Sequence, residues 1–304
     1  MKFCPKCRKK LVVQDFCVEC GADLTEYLKI ASSDDGIDES IAAFDFSSME
    51  NAVKKQLNEQ TKKDEYEAFC KKTKVENGVL IKYTGNDKYV VIPSGIKSIA
   101  YQAFAHNSTL TQIELNGIKE IGNDAFRSCS SLKSITIPDG VESIGDYCFI
   151  NCDNLTDVVI SAGVSKIGEN AFANCPKLKQ ITVDDKNKRY KSIDGDLYSK
   201  DGKVLIRYAN GKNQCQFIIP EGVTQLGVSA ISNSINLTSV IIPNSVKIIQ
   251  ASVFLNCNRI KKLKIPCSVE YLDIYAFFGG DEIVVYIPKG KNYDLNCAID
   301  YIEY

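Results

Sequence analysis

Ile137-Pro138-Asp139-Gly140-Val141-Glu142-Ser143-Ile144-Gly145-Asp146-Tyr147-Cys148-Phe149-Ile150-Asn151-Cys152-Asp153-Asn154-Leu155 is the stretch on which the fold turns. Read outward from Phe149, its spacing recurs. Phe104, Phe126, Phe149 and Phe172 are 22, 23 and 23 residues apart, and Phe254 and Phe277 are again 23 apart. Ile231 stands one period before Phe254. Self-similarity at such a period marks a stacked solenoid, each period making one coil. In the quoted coil Val141 and Ile144 form one inward pair. Leu155, Val158 and Ile160, on the strand Thr156 to Ile160, form a second inward set, as do Leu132, Ile135 and Ile137 one coil earlier. Alternation along these strands turns every second residue to solvent, and strands of successive coils stack in parallel. Pro138, Pro220, Pro243 and Pro266 follow the strands, where a missing N–H costs no ladder bond. No coil buries its apolar face alone, so stability is a sum over neighbouring coils.

The array carries one long insertion. From Phe172 to Ile231 the gap is 59 residues, 36 more than a period. The added stretch, about residues 184–216, contains two alternating runs around Asp201-Gly202, the signature of a β-hairpin. The repeat resumes at Phe217-Ile218-Ile219-Pro220, so the hairpin is read as inserted without ending the array.

Cys129, Cys152, Cys175 and Cys257 occupy one column, three residues after the phenylalanine. Aligned cysteines invite a metal or redox reading. Packing accounts for them better, because a buried thiol is a small hydrophobe with a weak donor and Ser234 fills the same column without sulfur.

The first residues follow another rule. Cys4-Pro5-Lys6-Cys7 and Cys17-Val18-Glu19-Cys20 are paired C-x-x-C turns, and two such turns brought together make the four-thiolate cage that Zn²⁺ accepts. Four protein ligands leave no open position for water, so one structural Zn²⁺ held by Cys4, Cys7, Cys17 and Cys20 is expected. Phe3 to Leu24, with Leu11, Phe16 and Gly21 in place, resembles the short bacterial zinc-ribbon family. Lys2, Lys6, Arg8, Lys9 and Lys10 form a small basic run, but the thiolate centre offsets part of it and aromatic stacking partners are few, so nucleic-acid binding is disfavoured. The expected organisation is a ribbon over 1–27, an acidic linker and capping helix over 28–74, and the solenoid over 75–304. Within the linker, Ser47 and Glu50 read as a capping box for a helix from about Ser48 to Lys72, shielding the first coil.

Composition narrows the functional classes. A net charge of −1 with 25% charged residues sets up no global field toward nucleic acid or anionic lipid. No stretch approaches the run of about 20 apolar residues that spans a bilayer. The start Met1 to Cys7 has no apolar secretory core, so a cytoplasmic chain is expected, with export by an unrecognised route as the alternative. An odd total of 13 cysteines argues against a disulfide framework. The single histidine, His106, reads as a turn residue; Asp184-Asp185 falls in a loop; and no P-loop, G-x-S-x-G or H-E-x-x-H pattern occurs. No catalytic residue is assigned, and a non-enzymatic protein is expected.

The repeated unit Ile-Pro-x-x-Val-x-x-Ile-Gly-x-x-Ala-Phe-x-x-Cys-x-x-Leu resembles the BspA-type leucine-rich repeat. Asn77-Gly78-Val79-Leu80-Ile81-Lys82-Tyr83-Thr84-Gly85-Asn86 and Ser192 to Ser199 are similar to that family's lead-in and insert. The resemblance implies a right-handed parallel-β leucine-rich-repeat solenoid used for protein contacts, often at bacterial surfaces. Binding is expected on outward strand positions: Glu114, Thr136, Val159, Thr182, Ile241 and Lys264, beside Gln112, Ser134, Asp157, Gln180, Ser239 and Lys262. The function read from the sequence is an adaptor, with the solenoid for a protein partner of open identity and the ribbon as a second contact. A surface adhesin and a nucleic-acid-associated regulator are the alternatives.

Overall fold

The computed structural model describes residues 55, 63–279, 283–291, 293 and 301–304. The chain divides into two units, Met1–Tyr66 and Glu67–Tyr304. Of the first, Lys55 and residues 63–66 are described and are helical. The four ribbon cysteines, the acidic linker and most of the expected capping helix lie outside the described residues. The helical stretch ends at Cys70, two residues short of the expected Lys72. Thr73 Oγ1 closes its last turn by donating to the Phe69 carbonyl at 2.9 Å.

The solenoid opens with a hairpin, β1 (Thr73–Glu76) and β2 (Val79–Tyr83). Asn77 and Gly78 turn it with φ of 50° and 75°, the paired left-handed conformation of a tight two-residue turn. Coils then follow in which a longer strand alternates with a two-residue one: β3 (Tyr89–Val91), β4 (Ser98–Ile99), β5 (Gln112–Glu114), β6 (Glu120–Ile121), β7 (Ser134–Ile137), β8 (Ser143–Ile144), β9 (Asp157–Ile160), β10 (Lys166–Ile167) and β11 (Gln180–Val183). The short strands extend the opening hairpin into one sheet of order β1-β2-β4-β6-β8-β10. The longer strands form the pair β3-β5 and the sheet β7-β9-β11, in parallel register with Ile135 opposite Val158 and Val158 opposite Ile181.

Each coil crosses between its two sheets through a tight arc built around its phenylalanine. In most arcs the residues two before and two after that phenylalanine are left-handed: Gln102 and His106, Asp124 and Ser128, Tyr147 and Asn151, Asn170 and Asn174. Side chains able to tolerate this region are common here, as its steric cost demands. The kinked backbone points alternate N–H groups at the next coil, so Phe104 N donates to Ala125 O, Phe126 N to Cys148 O and Phe149 N to Ala171 O. Inside, the rings form one file: successive centroids from Tyr83 through Phe104, Phe126, Phe149 and Phe172 lie 4.9, 4.9, 5.1 and 5.5 Å apart. Phe69 touches the start of the file at 6.4 Å from Tyr83.

The insertion differs from the single hairpin expected. Three strands, β12 (Tyr190–Ile193), β13 (Asp196–Ser199) and β14 (Val204–Arg207), form two hairpins. Asp194 and Gly195, with φ of 52° and 80°, supply a turn that the reading of Tyr190 to Ser199 as one run overlooked. The array is also interrupted. The first sheet ends at β10, and a new one starts, of order β12-β13-β14-β16-β18-β20, with β16 (Gln225–Leu226), β18 (Ile248–Ile249) and β20 (Tyr271–Leu272). The longer strands of this second array are β15 (Gln216–Ile218), β17 (Ser239–Ile241), β19 (Lys262–Lys264), β21 (Val284–Ile287) and β22 (Tyr301–Glu303), grouped as β15-β17 and β19-β21-β22. They enclose a single core running from Tyr198 to Ile287.

The restart has a sequence cause. Val204-Leu205-Ile206-Arg207-Tyr208 repeats Val79-Leu80-Ile81-Lys82-Tyr83. Both segments are the last strand of a hairpin and open a parallel ladder, Leu80 opposite Ile99 and Leu205 opposite Leu226. Both hand the tyrosine N–H to an alanine carbonyl, Tyr83 to Ala103 and Tyr208 to Ala230. The described solenoid is therefore two arrays, β1 to β11 and β12 to β22, each begun by its own hairpin.

Candidate interaction surface

Glu114, Thr136, Val159, Thr182, Ile241 and Lys264 all lie exposed, each beside buried residues of its own strand. The geometry brings some together and separates others. Thr136, Val159 and Thr182 are direct neighbours across β7, β9 and β11. Glu114, on β5, accepts a hydrogen bond from the Tyr89 hydroxyl. Lys264 is engaged by the chain itself, its Nζ lying 3.9 Å over the Tyr304 ring. Ile241 has a partner that the sequence reading missed. Ile218 stands opposite it in the β15-β17 register and is 61% exposed, against 45% for Ile241. Matching Phe217-Ile218-Ile219-Pro220 to Val240-Ile241-Ile242-Pro243 would have found it.

The outward faces of the two arrays thus differ in chemistry. On β5, β7, β9 and β11 they carry Gln112, Glu114, Ser134, Thr136, Asp157, Val159, Gln180 and Thr182. On β15, β17 and β19 they carry Gln216, Ile218, Ser239, Ile241, Lys262 and Lys264. The first is mainly polar with two acids, its exposed apolar residues being Tyr89 and Val91 on β3 and Val159 on β9; the second joins an isoleucine pair to lysines.

Elsewhere the described residues offer structural chemistry. A groove of about 350 Å³ runs outside the first sheet, lined by backbone and by Ser98, Glu120, Ser143 and Lys166. It contains neither cysteine nor histidine. His106 is exposed in its turn with φ of 64°. Each column cysteine donates its thiol to a carbonyl of the preceding coil: Cys129 to Phe104, Cys152 to Phe126, Cys175 to Phe149 and Cys257 to Ile231, at 3.2 to 3.4 Å. Burial pushes the Cys129 thiol up to about 12, and those of Cys175 and Cys257 to about 11. Thiols so held stay protonated at neutral pH, which disfavours nucleophilic attack. Among the described residues no group of three or more His, Cys, Asp or Glu is placed to hold a metal ion. No described helix is long and apolar enough to cross a membrane.

Polar side chains concentrate where the arrays meet. Arg207 is buried, its Nη1 donating to Ser229 O at 2.7 Å and Ser232 Oγ at 3.1 Å, its Nη2 to Asn210 Oδ1 at 2.8 Å, while its Nε has no partner. Asp196, also buried, accepts from Ala209 N at 2.8 Å and Lys212 Nζ at 2.5 Å. Apart from the Arg207 Nε, each of these groups is held by a neighbour on the same chain, which describes a structural plug.

The sequence pattern of the BspA type leucine rich repeat region matches residues 73–199 and 208–293, in six copies. No curated protein matches the chain. Among solved structures, a leucine-rich repeat protein from Eubacterium ventriosum superposes with a TM-score of 0.64 at 22% identity, over 69% of this chain and 56% of that one. The pneumococcal vaccine antigen PcpA superposes with a TM-score of 0.51 at 22% identity, over 66% of this chain and 62% of that one. The chain thus spans less than two thirds of either structure, and the likeness is one of fold.

Proposed function

The chain belongs to the BspA type leucine-rich repeat family, and from that premise we propose that it is a non-enzymatic scaffold that binds a protein partner on the outward strand face of its second array. The observation that carries this reading is the exposed pair Ile218 and Ile241, in register and adjoining Lys262 and Lys264. Scattered exposed apolar residues need no function, but two β-branched side chains side by side on a rigid sheet and next to cations make a small apolar spot with a charged rim. The matching partner surface is apolar with carboxylates around it. The first array, whose outward face is mainly polar, serves as spacer and support.

The test is affinity capture with the full chain and two variants. A partner retained by the chain and by Thr136→Glu, and lost with Ile241→Glu, supports the reading. Equal loss with both variants, or capture of none, overturns it.

The amino-terminal residues are proposed as the adaptor's second contact module, a ribbon closed by one Zn²⁺ on Cys4, Cys7, Cys17 and Cys20; what supports this is the spacing of the two C-x-x-C pairs. The purified full chain is then expected to hold one equivalent of zinc, and Cys17→Ser to release it; a metal-free chain with four titratable thiols there refutes the site. The cytoplasm is the proposed compartment, supported by the exposed free thiols Cys215 and Cys267, which suit a reducing environment. Fractionation that places the chain at the cell surface would replace that assignment with the adhesin reading.

A further inference from the structure

A parallel ladder uses alternate residues of each strand, and the others turn their N–H and C=O groups to the opposite edge. On β15 the bonds to β17 engage residues 215 and 219, with Ser239 N donating to Cys215 O and Ile219 N to Ile241 O, and the same alternation assigns Phe217 to that side. Gln216 and Ile218 therefore face away from β17. Among the described residues neither makes any other backbone or side-chain hydrogen bond, and β15 packs against no strand but β17. Both residues are exposed.

The place beside β15 is where the array is broken. One wall is sealed by the chain: Ile181 N of β11 donates to Gly195 O at 2.8 Å, Val183 N donates to Ser192 Oγ at 2.8 Å, and that hydroxyl donates back to Ile181 O at 2.6 Å. The insertion hairpin thus satisfies the edge of β11 and leaves that of β15 open. Neighbouring strands without a ladder between them elsewhere, β5 with β7 and β17 with β19, still lie side by side; β11 and β15 do not. The pair β3-β5 has an open edge too, but beyond β3 the array has no further described coil, whereas β15 is bounded by described residues on both sides.

We infer that the free edge of β15 is a docking slot for an extended segment of the partner protein, which adds to the β15-β17 ladder on the side away from β17. This rests on the scaffold reading and gives the partner a shape. Two N–H and two C=O groups at strand spacing recognise a polypeptide backbone in β conformation and no other common ligand chemistry. Ile218, already beside Ile241 on the outward face, asks for a β-branched or aromatic side chain at the adjoining position of the incoming strand. A second copy of this chain is the weaker occupant, because pairing β15 with its own copy would join two solenoids through edges of only three residues each.

The experiment uses the full chain and, as probe, the heptapeptide Glu-Thr-Val-Thr-Ile-Thr-Glu, with amide hydrogen exchange read residue by residue. The Gln216 and Ile218 amides exchange fast in the free chain and slow by about tenfold with peptide, while the same peptide N-methylated at alternate residues slows neither. Gln216→Pro removes a slot-facing N–H without touching a β15-β17 bond, so the chain keeps its thermal midpoint and loses the protection. Protection of both amides in the free chain, protection that grows with protein concentration alone, or equal protection by the N-methylated peptide would each overturn the slot. If a captured partner is lost with Ile241→Glu yet retained with Gln216→Pro, the scaffold reading stands and the slot falls.

Discussion

The two arrays begin with nearly the same five residues and put them in opposite surroundings. At the first start Lys82 is exposed, its Nζ reaching the Gln102 carbonyl at 3.1 Å. At the second, Arg207 stands in the equivalent place and reaches the equivalent carbonyl, Ser229, but is buried because a finished array precedes it. The ring file shows the same contrast. It is continuous from Tyr83 to Phe172, whereas in the second array Ile231 replaces a ring and only Phe254 and Phe277 stack, at 5.3 Å. A solenoid sums local contacts, so an array that begins inside a molecule must bury its starting charges and stacks fewer rings. The second array is thus the more polar inside and the more apolar outside, which is where binding is proposed.

Phe149 and Phe254 make the sharpest test of this difference. Both are fully buried, and truncation of either to alanine costs about 3–5 kcal/mol in urea unfolding. Phe149 stacks on two rings and Phe254 on one, so Phe149→Ala should cost about 0.5–1.5 kcal/mol more than Phe254→Ala. Equal costs would mean that the file is packing without any stacking contribution.

The buried start of the second array predicts a pH dependence. Burial raises Asp196 from 3.8 to about 6, against the partly offsetting pull of Lys212. The folded chain then holds this proton more tightly than the unfolded chain, so the contribution is present at low pH and is lost as pH rises through about 6. Two units correspond to at most about 3 kcal/mol. Unfolding free energies at pH 5 and pH 7.5 are expected to differ more for the natural chain than for Asp196→Asn, whose amide oxygen still accepts from Ala209. A larger difference in the variant would show that the Lys212 ion pair outweighs burial.

Coil contact is closer in the first array. A Cβ on Gly145 would come within 2.4 Å of Asn123 N, whereas one on Gly227, the corresponding residue of the second array, would meet Leu205 O at 3.0 Å. Gly145→Ala must push two coils apart and is expected to cost about 1–3 kcal/mol, with Gly227→Ala at the low end of that range. Calorimetry on the two variants decides it.

Periodicity made the coils legible because each buried position recurs at a fixed offset: Val141, Ile144, Phe149, Cys152 and Leu155 are all fully buried as their spacing required. The insertion was less legible for the same reason. Asp194-Gly195 lies outside the repeat, and its turn signal was masked by the longer alternating run around it. The restart at Val204 was readable only by matching it to Val79, a likeness of five residues that a period search passes over. Of the expected surface, the outward direction of Glu114 to Lys264 followed from strand alternation. The pairing of Ile218 with Ile241 needed the register after the insertion, and the open edge of β15 depends on where the hairpin settles, which no residue pattern encodes.

The thiol column separates the arrays by the smallest effect. Ser234 donates within its own coil, to Ile231 O, while the cysteines of both arrays donate back to the coil before. Those thiols are buried and held protonated, whereas Cys215 and Cys267 are exposed. Alkylation of the native chain at pH 8, followed by mass mapping, should therefore mark Cys215 and Cys267 and leave Cys129, Cys152, Cys175 and Cys257 intact until the chain unfolds. Labelling of Cys257 ahead of Cys152 would show that the second array, with its broken ring file, opens first. Labelling of all four at one rate would show that the arrays open together, and the break at the insertion would then be a seam in geometry and not in stability.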